Sequence, residues 1–294
     1  MLNMNLNMNT ILCNNSASFP CTKRLKDKVA IVTGGASGFG ESTVRLFAKH
    51  GAKVVIADIQ DELGESICQE LLSKYGNEHV TYVHCDVTNE SDVKNVVNTA
   101  VSKYGKLDIM FNNAGIPGDP YSAVVSSSIE NFKQVFDVNV FGSFLGAKHA
   151  AGAMIPMKRG VILFTSSVAS EIGCGTSHAY TASKHSLVGL MKNLCVELGG
   201  YGIRVNCISP YGVATPMLVK ALGAEKAVVE QLVCASAVLK EVAPTVEDVA
   251  EAAVYLSSDE GKYISGVNLV VDGGYSTTNQ SLPTVVKKSM VKET

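Results

Sequence analysis

Neither sign of charge dominates this sequence, and that absence removes whole classes of partner. Lys and Arg total 25 against 27 Asp and Glu, a formal net charge of -2, and charged residues make up 18% of the chain. Such a balance draws a protein neither to nucleic acid nor to an anionic membrane, so a neutral small molecule is the expected partner. No stretch approaches the roughly 20 uninterrupted apolar residues that span a bilayer. The opening residues also lack the basic-then-apolar order of a secretory signal, so a soluble, cytoplasmic protein is expected. Of the cysteines (Cys13, Cys21, Cys68, Cys85, Cys174, Cys195, Cys207 and Cys234), none forms a CxxC pair or clusters with His. That spacing excludes a zinc site and a dense disulfide framework, and the thiols are expected to be buried in a reducing compartment.

Internal repeats and low-complexity linkers are missing as well, and with 46% apolar residues the chain holds enough material for one large core. Residues 1–24 are rich in Asn, Met and Ser, contain no acidic residue and form an expected flexible extension. The single Arg24 gives little support for a plastid or mitochondrial address. Residues 280–294, with Lys287, Lys288 and Lys292, are expected to be a solvated tail. The span between, 25–279, is the expected catalytic domain.

From Lys28 onward, short β-branched runs alternate with longer amphipathic stretches, the pattern of βαβ units and a parallel sheet. The apolar runs Val29–Val32, Val54–Ala57, Thr81–His84, Ile109–Phe111, Val161–Phe164, Arg204–Ile208 and Asn268–Val271 predict seven strands. Gly40–His50 and Ser91–Tyr104 are examples of the helices between them. Strands apolar throughout require helices on both faces, so the expected fold is a doubly wound seven-stranded parallel α/β sheet.

Directly after the first strand comes Thr33-Gly34-Gly35-Ala36-Ser37-Gly38-Phe39-Gly40, and a helix follows at once. Strand, glycine-rich turn and helix in this order make a Rossmann-type dinucleotide site: Gly34, Gly38 and Gly40 permit a tight turn, close approach to a pyrophosphate and close helix packing. Glycine-rich turns also serve as plain connections, and the position after the first strand is what favours a cofactor. Asp58 ends the second strand close to the roughly 20 residues beyond the glycines expected of a carboxylate that bonds ribose hydroxyls. It would repel a 2′-phosphate, and neither the glycine turn nor Ile59 and Gln60 supplies a cation to offset that, which favours NAD over NADP. Read alone, Asp58 also suits a helix cap.

Tyr180 and Lys184, four residues apart, share one helix face if the segment is helical. A nearby ammonium favours the phenolate, so a tyrosine so placed can exchange a proton with an alcohol or ketone oxygen. Such pairs arise by chance on ordinary helices, and context decides. Ser167 follows the strand Val161–Phe164, at the end of the sheet where open α/β folds gather their chemistry, and its hydroxyl is placed to hold a substrate oxygen. Turn formation or helix capping is the ordinary use of Ser166 and Ser167.

Taken together, the Thr33-to-Gly40 turn, Asp58, Asp86-Val87, Asn112-Asn113-Ala114-Gly115, Asn139, Ser167, Tyr180 and Lys184 resemble the short-chain dehydrogenases/reductases in order and spacing over about residues 25 to 276. The resemblance implies an NAD-dependent alcohol dehydrogenase in which Tyr180 is the acid/base. It further implies that Lys184 binds the nicotinamide ribose and assists the tyrosine, that Ser167 positions the reacting oxygen, and that Asn139 holds a water joining Lys184 to solvent. It also implies that Ser37, Phe39 and Ile59 touch the cofactor, that Asp86 and Val87 contact the adenine, that Asn113, Ala114 and Gly115 stabilise the sheet beside it, and that Val213 and Thr215 contact its carboxamide and phosphate. Pro210 to Met217 and Val271 to Tyr275 are similar to plant dehydrogenases of secondary metabolism that act on lignans, xanthoxin and monoterpenols such as borneol. Two departures stand out: Phe39 replaces the usual Ile or Leu, and Tyr211 stands where many relatives have Gly. Homo-oligomers, commonly tetramers, are what the family implies.

The substrate end is expected from Ile116–Tyr121, Glu171–His178 and Tyr211 to about Lys240. These segments supply Ile116, Pro117, Ile172, Met217 and Leu218 without a basic cluster, as suits an apolar cyclic alcohol. His178 is expected to be an exposed loop residue, and Met191 and Met217 core filler. Three rivals remain at this point. A carbonyl reductase using NADPH is disfavoured by Asp58. A non-catalytic NAD-binding scaffold has no need of Ser167, Tyr180 and Lys184 in register. A sugar-nucleotide epimerase or dehydratase needs a substrate domain for which about 20 residues after the last strand are too few.

Overall fold

A computed structural model describes residues 23–76, 79–119, 123–173, 175–240 and 242–278. Its strands are β1 (Val29–Thr33), β2 (Lys53–Asp58), β3 (Val80–His84), β4 (Ile109–Asn112), β5 (Gly160–Thr165), β6 (Ile203–Pro210) and β7 (Asn268–Val271). All pair in parallel in the order β3-β2-β1-β4-β5-β6-β7. The chain winds outward from β1 to β3, returns to place β4 on the other side of β1, then winds outward again. That reversal opens a crevice at the carboxyl ends of β1 and β4, where open sheets of this kind bind ligands.

Because side chains alternate along a strand, the apolar runs feed two cores. Val29 and Ile31 pack with α3 (Glu90–Tyr104), α5 (Ser143–Met154) and α6 (His178–Gly199). Ala30 and Val32 pack on the opposite face with α1 (Gly38–Lys49), α2 (Asp61–Tyr75) and α9 (Val246–Ser257). Phe47, Phe111 and Phe164 are among the largest fully buried side chains, each contributing on the order of 1.5–3 kcal/mol. Local chemistry sets the helix ends: Asn89 accepts from Ser91 N before α3, which stops at the left-handed Gly105, and Thr245 with Asp248 forms a reciprocal cap on α9.

Two segments depart from the expectations. Lys23 and Arg24, assigned to the extension, belong to the folded body: Leu25 is fully buried and the Arg24 guanidinium pairs with Glu251 and Glu260. Between α4 (Ile129–Phe136) and α5 the backbone widens into a π turn over Asp137–Gly142, of a kind often found at functional sites. The expected flexible ends at 1–22 and 279–294, with Cys13, Cys21, Cys174 and Tyr121, lie outside the described residues. Of the other cysteines, Cys68, Cys85 and Cys207 are buried as expected, whereas Cys195 is half-buried and Cys234 exposed. Among the described residues no helix is long and apolar enough to cross a membrane.

Candidate active site

Of the residues assigned to catalysis or to cofactor contact from the sequence, all but Gly40 and Asn139 line one cavity of about 800 Å³ at the carboxyl ends of the strands. One wall is the glycine turn. Gly34 and Gly38 have φ of 62° and 54°, a left-handed conformation that suits glycine. Gly40 is held to glycine by crowding instead: a Cβ there would lie 1.9 Å from the Gly34 carbonyl oxygen. The first N–H groups of α1 have no partner within the helix, and with the helix dipole they suit a diphosphate. Thr215 caps α7 (Pro216–Leu222), and its methyl group comes within 3.4 Å of where a Gly38 Cβ would be.

Asp58 does not cap α2. The residue capping α2 is Gln60, whose N–H and side-chain amide donate to Asp58 Oδ1 at 3.0 and 3.1 Å. Ala36 N donates to Oδ2 at 2.9 Å, so one buried carboxylate buckles the end of β2 to the glycine turn. Ile59 beside it is exposed. Asp86 Oδ1 accepts from both Thr88 N and Thr88 Oγ1, and Val87 is buried against Gly142 of the π turn.

The residues after β4 are held by two threonines, Thr33, quoted in the glycine turn without this role, and Thr165, not singled out in the sequence. Thr33 Oγ1 accepts from Asn113 N (3.0 Å) and Ala114 N (3.1 Å), and Asn113 Nδ2 donates to Thr33 O (3.0 Å). Thr165 Oγ1 donates to Asn113 Oδ1 at 2.9 Å. The ends of β1, β4 and β5 are thereby tied together. A signal was available, since each threonine is the polar residue that ends an apolar strand.

On α6, capped by the Ser177 hydroxyl, Lys184 Nζ lies 5.3 Å from the centre of the Tyr180 ring. Lys184 is only 3% exposed and donates to Thr165 O at 2.7 Å. Burial pushes its pKa down to about 8, so its charge is less secure than the sequence suggested. Ser166 and Ser167 both line the cavity, and the Ser166 hydroxyl donates to Lys184 O. Ser167 Oγ accepts from Ala169 N at 3.2 Å, so the capping role holds, and its own proton remains to be donated.

Asn139, fully buried in the π turn, does not line the cavity. Its amide clamps the loop after β4: Ile116 N donates to Oδ1 (2.8 Å), and Nδ2 donates to Ile116 O and to Ser183 Oγ (both 3.0 Å). A Cβ on Gly115 would lie 3.2 Å from Asn139 Oδ1 and 3.6 Å from Lys184 Nζ, so this clamp sits directly behind the lysine.

At the far end, Ile116, Pro117, Met217 and Leu218 line the cavity as expected, joined by Leu222 and by Val233 of α8 (Lys226–Ser236). Ile172 and His178 do not line it; His178 is exposed as the first residue of α6 rather than in a loop. Met217 is a half-exposed lining residue, not core filler, whereas Met191 is fully buried in the core. Tyr211 stacks on Tyr275 with ring centres 4.3 Å apart, and its hydroxyl meets Ser236 Oγ at 2.6 Å. Among the described lining residues Lys184 is the only Lys or Arg, and none of those at this end is a partner for a carboxylate or phosphate.

Known proteins resemble this chain over most of its length. A family model described as Enoyl-(Acyl carrier protein) reductase matches residues 34–276. The chain is 58% identical to Short chain aldehyde dehydrogenase 1 of Euphorbia lathyris, over 92% of this chain and 95% of that one. It is 55% identical to the mitochondrial borneol dehydrogenase of Lavandula x intermedia, over 88% and 94% of the two chains. Among solved structures, levodione reductase superposes with a TM-score of 0.80 at 32% identity, covering 87% of this chain and all of that one.

Proposed function

Since this chain belongs to the short-chain dehydrogenase/reductase family of oxidoreductases, we propose that it oxidises a hydrophobic, cyclic secondary alcohol to the ketone with NAD as acceptor. A monoterpenol such as borneol, another terpenoid or a lignan is the substrate class. The observation that carries this reading is one cavity holding Ser167, Tyr180 and Lys184 between a glycine turn with Asp58 and an apolar end without cations.

The glycine turn and the start of α1 would hold the diphosphate, Asp58 the adenosine ribose, and Lys184 the second ribose; the cradle of Gly34, Gly38 and Gly40, with no room for a Cβ at Gly34 or Gly40 and a left-handed φ at Gly38, fits such a group. When bound, NAD supplies the hydride acceptor at its nicotinamide. Ser167 donates its hydroxyl proton to the substrate oxygen and orients it. Tyr180 takes the hydroxyl proton as the carbon gives up its hydride, so one C–H and one O–H bond break and a C=O bond forms. Lys184 provides the positive charge that a phenolate beside it requires. NAD is favoured over NADP because the Asp58 carboxylate meets the place of a 2′-phosphate with no Arg or Lys in the glycine turn or at positions 59 and 60.

A homo-oligomer, with a tetramer favoured, completes the proposal. Ile129, Phe132, Phe141 and Phe144 are exposed apolar residues along α4, the π turn and α5, as suits a subunit contact; light scattering would report the mass. The decisive assay incubates the protein with NAD or NADP and a panel of terpenoid, lignan and steroid alcohols. NADH formed from a cyclic alcohol, with NADP much poorer, is expected. No turnover of any alcohol, or a preference for NADP, would overturn the reading.

A further inference from the structure

Outside the catalytic group, three titratable side chains meet on the solvent side of β2 and β3. Tyr82 and His84, two residues apart on β3, point to the same face of the sheet, toward α2. Their common partner is Asp61, the first residue of α2: Tyr82 OH donates to Asp61 Oδ1 at 2.6 Å, and His84 Nδ1 lies 2.8 Å from the same oxygen. The Tyr82 hydroxyl also lies 2.8 Å from the backbone carbonyl of Asp58, so its single proton is shared between the two ends of the Asp58–Asp61 turn. The ring is fixed too. A Cβ on Gly64 would fall 2.1 Å from Tyr82 Cε2, which means the phenol lies flush against the backbone of the first turn of α2.

We infer that Tyr82 is a positioning residue for the adenosine end of the cofactor: it clamps the turn from Asp58 to Asp61, and His84 braces Asp61 from the other side. The inference rests on the proposal that the cleft holds NAD. The turn it clamps carries the carboxylate that bonds both the glycine turn, through Ala36 N, and its own successor, through Gln60 N. A shift of this turn therefore moves the ribose-binding carboxylate relative to the diphosphate site. Removal of the hydroxyl alone leaves no backbone group stranded, because Asp58 O still accepts from Cys85 N at 2.9 Å and Asp61 keeps His84. That separates positioning from folding.

The test is isothermal titration calorimetry of Tyr82→Phe with NAD and NADP, together with the melting temperature of the free protein and steady-state kinetics. Positioning predicts that the Kd and KM for NAD rise about fivefold, that the NADP/NAD ratio of Kd values shrinks, and that kcat at saturating NAD and the melting temperature stay close to wild type. Gly64→Ala, which displaces the ring but keeps the hydroxyl, should weaken NAD binding in the same sense. An unchanged Kd in Tyr82→Phe would overturn the inference. So would a loss of Kd, kcat and melting temperature together, which marks a purely structural residue. Wild-type protein that binds no NAD would instead refute the cofactor proposal.

Discussion

The two ends of the cleft are built in different ways. The cofactor end is made of strand ends and backbone: Thr33, Asn113 and Thr165 link three strands, Asp58 links a fourth point to the glycine turn, and glycines stand where any Cβ would collide. The far end is made of side chains projected from two short helices, α7 and α8, whose outer residues Leu222, Val228 and Leu232 remain exposed. Few side-chain hydrogen bonds tie those helices to the sheet, Tyr211 to Ser236 being the clearest. The contrast teaches that an over-determined end tolerates little change and keeps one ligand, while an apolar, loosely tied end is free to change its substrate at small cost in stability.

The harshest challenge to this contrast is a single methyl group at the over-determined end. Gly40→Ala drives a Cβ to within 1.9 Å of the Gly34 carbonyl and 2.7 Å of Asn113 Nδ2. We expect NAD binding to weaken at least about a hundredfold and stability to fall by about 2–3 kcal/mol, the upper range for overpacking. Calorimetry and urea unfolding report both, and a variant that binds NAD normally breaks the comparison.

Next in size comes the buried lysine. Lys184 has its folded pKa lowered to about 8 from an unfolded value near 10.4. The cost of burying its charge is therefore full below pH 8, where both states are protonated, and fades as pH rises toward about 10.4. Wild type should gain stability relative to Lys184→Met across that window, by up to about 3 kcal/mol. Urea unfolding of both proteins at pH 7.5 and pH 10 measures it, and parallel curves would refute the burial argument.

The smallest effect belongs to the far end. Val233→Ala should change the kcat/KM ratio between a bulky and a small cyclic alcohol by about tenfold, the scale of one or two methylenes in an apolar pocket. The Kd for NAD should stay unchanged. A parallel loss of NAD affinity would show that the two ends are coupled rather than distinct.

The same contrast explains what could be read in advance. All seven strands were legible, within two residues at either end, because apolar runs between turn signals are a local property of the chain. The glycine turn, Asp58 and the Tyr180–Lys184 spacing were legible because backbone geometry and helix periodicity fix which residues can meet. Lys184's burial, the Asn139 clamp on Ile116 behind the lysine, and the clamp by Tyr82 were not, since each depends on what distant segments bring alongside. Ile172 was misplaced, and Met217 was read both as lining and as core filler, for a related reason: the aim of a side chain near a loop or helix start follows the course of the loop, which no short pattern encodes. Thr165 and the role of Thr33 were overlooked although their polar side chains at the ends of apolar strands were in plain view.

The central claim is that the Tyr180 phenol moves the proton, and Tyr180→Phe tests it most directly. NAD-dependent oxidation of the cyclic alcohol that wild type turns over should fall by about a hundredfold or more in kcat, the usual worth of a positioned acid/base. The calorimetric Kd for NAD and the melting temperature should remain near wild type. A folded, NAD-binding Tyr180→Phe protein that turns over at close to the wild-type rate would contradict the account.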